Sequence, residues 1–233
     1  MLSEKERQMQ KLMDEWKASH QVKGKTKFVT DGFVDFDSYK KASPKICFFL
    51  KEAYLSKGED GGELTDWLNK GLMTRMWSAA AEWTYGIRHT TETDIPAKPQ
   101  LTKEEKTGLL RTVSVVNVKK SNGNSGSKYD DLLNFAQEDS DFLKRELDII
   151  DPDVIVCGHN SSLLRLLYGA TVNENNHVLP DGLIDEGFMR ENGYAFLNGK
   201  ILIDYYHPAN HFPSILNYYT VCSLYQQALK MKD

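Results

Sequence analysis

The amino-acid sequence predicts an α/β protein: a three-layer α/β/α sandwich around a central, mostly parallel sheet of roughly four strands. Three observations lead there. Short, almost wholly apolar runs at 46–50, 113–116 and 154–157 have the character of parallel strands buried on both faces. Segments of helical periodicity separate these runs, and strands alternating with helices build a parallel sheet through crossover connections. The Asn198-Gly199 pair between the runs 194–197 and 200–203 is the strongest hairpin signal in the chain.

Taken in order, Ser3 with Glu6 is a capping-box signature, and Met9, Leu12, Met13 and Trp16 supply the apolar stripe of a first helix. Residues 1–43 read as an N-terminal helical extension packed on the core from outside. Asp31-Gly32 marks a turn, and Ser43-Pro44 stops the helix that holds Tyr39, Lys40 and Lys41. The run 46–50 is the first core strand. From 62 to 87 the pattern is helical, with Leu64, Trp67, Leu68, Leu72, Met76, Trp77 and Ala80 on a shared face. The stretch 88–101 reads as an inserted, flexible loop. Thr102 and Glu105 repeat the capping-box signature ahead of the second core strand at 113–116. A glycine and asparagine loop at 121–127 precedes helical segments over 129–150, the strand 154–157 and a helix over 163–168. The second hairpin arm delivers His207, and Pro213 opens a closing helix whose Ile215, Leu216, Tyr219, Leu224 and Tyr225 are expected to face the core.

With 233 residues, 40% hydrophobic and 27% charged, the chain fits one domain spanning 1–233. A net charge of -4 argues against a protein that holds nucleic acid by bulk electrostatics, while leaving room for a local basic patch. The three cysteines show neither a CxxC pair nor a nearby histidine cluster, which fits a reducing compartment. Cys47 and Cys157 lie inside strand runs and read as small buried hydrophobes. The first residues are charged, and no run approaches the roughly 18 apolar residues of a membrane span. A cytoplasmic monomer without membrane contact is the expectation.

In an open α/β sheet, ligands bind outside the carboxyl ends of the strands. The first core strand runs into Lys51-Glu52-Ala53-Tyr54, the second into Asn117-Val118-Lys119-Lys120, and the last into Tyr206-His207-Pro208-Ala209-Asn210. A carboxylate, a carboxamide and an imidazole thus converge on one edge. Glu52 equally fits an N-cap, a solvated loop charge or a partner to Lys51. Lys119, Lys120 and Lys128 suit either a phosphate clamp or a solvated surface. The aromatic residues between Trp67 and Tyr85 read as core rather than as a platform for a base. His20, His89, His159 and His177 show no ligand spacing.

In their order, these strand ends resemble the uracil-DNA glycosylase superfamily, over about residues 44–212. The stretch 146–158 also resembles the helix-to-strand passage ahead of that family's His-Pro motif. Glu52-Ala53 is similar to the Gly-Glu-Ala-Pro-Gly motif of the iron–sulfur branch. Lys51 stands in place of its glycine, Tyr54-Leu55 replace Pro-Gly, and the cluster cysteines have no counterparts, so no iron–sulfur centre is implied.

The resemblance implies a monofunctional DNA glycosylase without metal or cofactor. Such an enzyme hydrolyses the N-glycosidic bond of a deaminated or otherwise modified base flipped out of single- or double-stranded DNA, as in base-excision repair. It implies that His207 donates to the base oxygen, Asn117 reads the base edge and Glu52 orients or deprotonates water. Lys51, Ala53, Tyr54 and Trp77 would surround the base, with Tyr54, Trp77 or Tyr85 replacing the family's stacking phenylalanine. Lys119, Lys120, Lys128, Pro208, Asn210, His211 and Phe212 would face DNA; Phe212 fits either a wedge between bases or a core side chain. The altered first motif suits a base other than plain uracil, including the bulky hypermodified bases of phage DNA. A catalytically silent DNA- or nucleotide-binding member, and a hydrolase of free nucleosides, are the rival readings.

Overall fold

The computed structural model describes residues 2–53, 55, 59–123, 126–179 and 184–232. Helix α1 (Glu4–Val22) begins with the expected capping box, in which Ser3 Oγ accepts the Glu6 N–H and the Glu6 carboxylate accepts the Ser3 N–H. Two short strands follow, β1 (Phe28–Thr30) and β2 (Gly32–Phe33), then α2 (Phe36–Tyr39) and the first long strand, β3 (Ile46–Glu52). After β4 (Gly61–Glu63) come α3 (Leu64–Asn69), α4 (Arg75–His89), α5 (Lys103–Arg111) and β5 (Ser114–Lys119). Helices α6 (Tyr129–Glu138) and α7 (Ser140–Ile150) lead to β6 (Val154–Gly158) and α8 (Ser161–Leu166). The chain closes with α9 (Glu186–Asn192), the hairpin β7 (Tyr194–Leu197) and β8 (Lys200–Tyr205), and α10 (Ser214–Met231).

The main sheet has six strands in the order β2-β5-β3-β6-β8-β7. Strands β5, β3, β6 and β8 run parallel, and β2 and β7 pair antiparallel at the two edges. The sheet therefore exceeds the roughly four strands expected. Strand β2 is two residues long and offers no periodicity to read. A separate parallel pair joins β1 to β4.

Every core strand is buried on both faces, which explains its unbroken apolar run. Cys47 and Phe49 of β3 pack with Leu12 and Trp16 of α1, Leu133 of α6 and Leu147 of α7. Ile46, Phe48 and Leu50 pack with Leu68 of α3, Ala80 of α4, Leu110 of α5 and Val221 of α10. Phe48 and Phe49 are both fully buried, so consecutive residues anchor opposite faces.

Four expectations need correction. Residues 1–43 are no outside extension, because β2 joins the main sheet and α1 places Leu12 and Trp16 in the core. The helical pattern of 62–87 resolves into β4, α3 and α4; α3 ends before Gly71, whose φ of +89° only glycine adopts readily, and Thr74 then caps α4. The stretch between α4 and α5 is a loop as expected, starting after His89, but it is tied down, with Tyr218 donating to the Pro96 carbonyl and Lys98 paired with Glu82 at 2.8 Å.

The closing helix keeps only part of its predicted face: Tyr225 is buried and Leu224 packs against the core as expected, but the first turns differ. Ile215, Leu216 and Tyr219 are exposed, while Asn217, Tyr218, Val221, Cys222, Tyr225 and Ala228 are buried. Two contacts explain this. Tyr218 and Cys222 pack so closely on α4 at Gly86 that a Cβ there would stand 2.8 Å from the Tyr218 ring. Asn217 is drawn inward to donate to Asn210 Oδ1 and accept from the Tyr205 hydroxyl, each at 2.9 Å.

Candidate functional site

Strands β3, β5, β6 and β8 are parallel, so their carboxyl ends share one sheet edge. A cavity of ≈ 1030 Å³ opens there. It is lined by Leu50, Lys51, Glu52 and Ala53 at the end of β3, by Asn117 of β5, and by His207, Ala209 and Asn210 beyond β8. Leu64 and Trp67 of α3 and Met76 and Trp77 of α4 supply the apolar wall. The volume lies at the upper end of the range for small-molecule sites.

Strand β6 stands between β3 and β8, and its last residue, Gly158, keeps that gap open. A Cβ at Gly158 would lie 2.9 Å from His207 Cδ2 and 3.3 Å from Leu50 Cδ2. Glycine therefore lets the imidazole lie across the end of β6. His207 Nδ1 accepts the Ala209 N–H at 3.2 Å, which leaves Nε2 to carry the ring proton. Burial, and secondarily the charge of Lys51, pull the His207 pKa down to about 4. At neutral pH this histidine is an uncharged N–H donor.

Asn117 lies within β5 rather than after it, because the strand continues until Lys119 pairs in register with Glu52 of β3. It is buried, and its backbone N–H and its Nδ2 both donate to Asp31 Oδ2, at 2.7 and 3.0 Å. The carboxylate can only accept, so the amide nitrogen is turned to Asp31 and the amide oxygen is left for the cavity that Asn117 lines.

The Glu52 side chain is only 4% exposed. Lys119 Nζ lies 3.4 Å from Oε2, and Ser127 of the 121–127 loop donates a short hydrogen bond to Oε1. Glu52 is thus the buried end of β3 rather than a solvated loop charge, and its ion pair is with Lys119, a partner the sequence did not suggest. The apolar wall contains a ring the sequence reading assigned to the core: Trp67 lies against Gly62, where any Cβ would collide with the indole. Trp77 also lines the cavity but is almost fully buried. Tyr85 is stacked on His89 and does not line the cavity. Tyr54 falls outside the described residues, as do Ser56 and Lys57 near it.

The expected DNA-facing lysines divide. Lys120 is buried with its ammonium paired to Asp31 and, at 2.8 Å, to Glu146, so it cannot reach a phosphate. Lys119 is 3% exposed between Glu52 and Asp131 and is equally excluded from the surface role. Their partners sit far away in sequence or in the next helix, which no local pattern announces. Lys128 is exposed at the start of α6.

Beyond His207, Pro208 is buried, and the Asn210 side chain is used within the turn: Nδ2 donates to the His207 carbonyl and Oδ1 accepts the Phe212 N–H, each at 2.9 Å. Asn210 thus holds the turn through its side chain. Arg75 of α4 donates to the Asn210 carbonyl and approaches His211 Nδ1, at 2.9 and 3.2 Å. Phe212 is 46% exposed, edge-on to the exposed Tyr206 at 5.0 Å, and so is not a core side chain.

One cluster imitates a hydrolase triad without the means to act as one. His20 is bonded to Ser121 Oγ at 2.7 Å and to Asp139 Oδ2 at 2.8 Å, with all three residues sealed from solvent. It anchors the start of the 121–127 loop to α1. Among the described residues, no helix is long and apolar enough to cross a membrane. No protein-family model and no curated protein matches this chain.

Proposed function

We propose that the protein is a DNA glycosylase of the uracil-DNA glycosylase type, built as a three-layer sandwich and acting as a cytoplasmic monomer on a modified base flipped out of DNA. The observation that carries this reading is the meeting of Asn117, Glu52 and neutral His207 in one cavity with an indole wall. A flipped base needs a flat apolar surface and hydrogen bonds to its edge, and Trp67 and Asn117 supply those two elements.

The reaction breaks the bond between the base nitrogen and C1′ of the sugar. The bonding electrons leave with the base, and a cationic sugar remains. His207 Nε2–H donates to the base oxygen on which the charge gathers, a preorganised contact of the kind worth about 3 to 4 kcal/mol. Because Nδ1 is occupied by the Ala209 N–H, the imidazole acts as donor without changing tautomer. The Glu52 carboxylate stabilises the sugar cation and accepts the proton of the attacking water, leaving an abasic site. Lys119 and Ser127 hold that carboxylate in place.

The engagement of Glu52 by Lys119 and Ser127 also favours a second reading, a member that binds DNA or a nucleotide without cleaving it. Base release separates the two. Single- and double-stranded oligonucleotides carrying uracil, hypoxanthine, xanthine, 5-hydroxymethyluracil or glucosylated hydroxymethylcytosine are incubated with the protein, and alkali reveals abasic sites. Release of one base, lost in His207→Ala, is the expected result. Binding without release across the panel would replace catalysis with recognition.

A further inference from the structure

We propose that Asp31 is a positioning residue for Asn117, fixing the order of donor and acceptor that the cavity presents and hence which of two bases of opposite hydrogen-bonding order it accepts. This deepens the glycosylase reading and rests on it.

Asp31 Oδ2 takes both N–H groups of one residue, the backbone N–H of Asn117 and its Nδ2. A rotated amide would bring Oδ1 against the carboxylate, two acceptors with no proton between them. The other carboxylate oxygen, Oδ1, is paired with Lys120. Lys120 is in turn paired with Glu146 at 2.8 Å and sits 4.8 Å from the centre of the Trp16 ring.

The side chains of Asp31, Lys120 and Glu146 have no solvent exposure. Burial, then the neighbouring Asp31 charge, pushes the Glu146 carboxyl well above its usual range and favours its neutral form. One ammonium, one carboxylate and one neutral acid then balance without a net buried charge. A buried ion pair is a poor stability device compared with well-packed apolar residues, whereas its directional bonds hold an orientation. Here the oriented group is the amide of a cavity-lining residue.

Orientation matters because a parent base and its deaminated product present reversed patterns. Cytosine offers a ring-nitrogen acceptor beside an amino donor, and uracil an N–H donor beside a carbonyl acceptor. Asp31 takes only one of the two Nδ2 protons, so the amide still presents an N–H beside its Oδ1 acceptor. A locked amide then matches one order and opposes the other; an amide free to turn matches both.

The test uses Asp31→Asn, which keeps the shape; the Lys120 ammonium holds the new amide's oxygen, so its nitrogen faces Asn117, no longer accepts from Nδ2, and leaves the Asn117 amide able to turn. Glu146 can ionise to balance Lys120 in this variant. Single-turnover base release is measured on oligonucleotides differing only by uracil or cytosine at one position, alongside thermal unfolding and the ¹H–¹⁵N signals of the Asn117 side-chain amide. The wild type is expected to discriminate between the two bases, and Asp31→Asn to narrow the ratio at least tenfold while unfolding cooperatively. An unchanged ratio in the folded variant overturns the proposal.

If the wild type releases neither base, nor any base of the wider panel, the glycosylase reading fails, and the amide signals then decide the positioning role by themselves. Exchange protection of the Asn117 side-chain amide that is lost in Asp31→Asn supports it, and equal protection overturns it. Should Asp31→Asn not fold, Asp31→Glu gives the same readouts, since it keeps the charge but cannot hold both N–H groups in one geometry.

Discussion

The two ends of the site are held by opposite means. At β5, Asn117 is fixed by a buried carboxylate that is itself fixed by a buried ammonium. At β8, His207 is fixed without ions: a backbone N–H to Nδ1, a turn closed by Asn210, and close contact with Gly158. An amide has no charge to lose, so strong charges beside it bring orientation at no risk to its protonation state. An imidazole does change charge, and a carboxylate partner would favour the imidazolium and spoil a neutral donor. The charge that acts on His207, secondary to burial, is that of Lys51, which disfavours protonation.

Removing the ammonium attacks the ionic end most severely. Lys120→Met leaves Asp31 buried without its counter-charge and is expected to lower unfolding free energy by about 3–5 kcal/mol, measured by urea denaturation. A loss below about 1 kcal/mol would mean that the network is dispensable and the contrast between the ends is empty. At the neutral end, His207→Ala removes a donor rather than a structural ion. Base release in single turnover should fall about 10²–10³-fold with little change in DNA affinity or melting temperature. Equal loss of binding and release would remove the role assigned to Nε2.

Sequence reasoning recovered the neutral end better than the ionic one, and the reason is range. His207, the hairpin that delivers it and the capping boxes of α1 and α5 are written in contiguous residues. Asp31 and Glu146 meet Lys120 only through the tertiary fold, so two adjacent lysines read as either a phosphate clamp or a solvated surface when both are buried. The same limit hid Trp67, whose placement depends on Gly62 in a strand too short to recognise. It also hid the inward face of α10, which α4 and Asn210 decide rather than the helix's own apolar pattern.

A smaller change separates contact from chemistry. Gly158→Ala leaves every hydrogen-bonding group in place but puts a methyl 2.9 Å from the His207 ring carbon, which must move. A displacement of this kind costs about 100-fold in rate when the moved group is catalytic. Release should fall by that order while the uracil-to-cytosine ratio, set at the other end by Asn117, stays as in the wild type. A change in the ratio would show that the two ends do not act separately.

The mildest perturbation is pH, and its sign follows from the lowered pKa. His207 titrates near 4 in the folded protein against an ordinary 6.5, so the unfolded chain binds the extra proton between those values. The neutral donor therefore survives mild acid, and the contribution of His207 to the acid limb of the release rate is expected near pH 4 rather than 6.5. Folding stability from this group is fully present above the ordinary value and declines as pH falls through the window. Asp204, whose carboxyl burial raises, titrates in the opposite sense but does so with or without Lys51. Lys51→Met removes the secondary cause and keeps the primary one, burial. The limb should then move upward but stop short of 6.5, as read from rate profiles of wild type and variant measured side by side. A limb already at 6.5 in the wild type would place a charged imidazole at the β8 end and erase the contrast with β5.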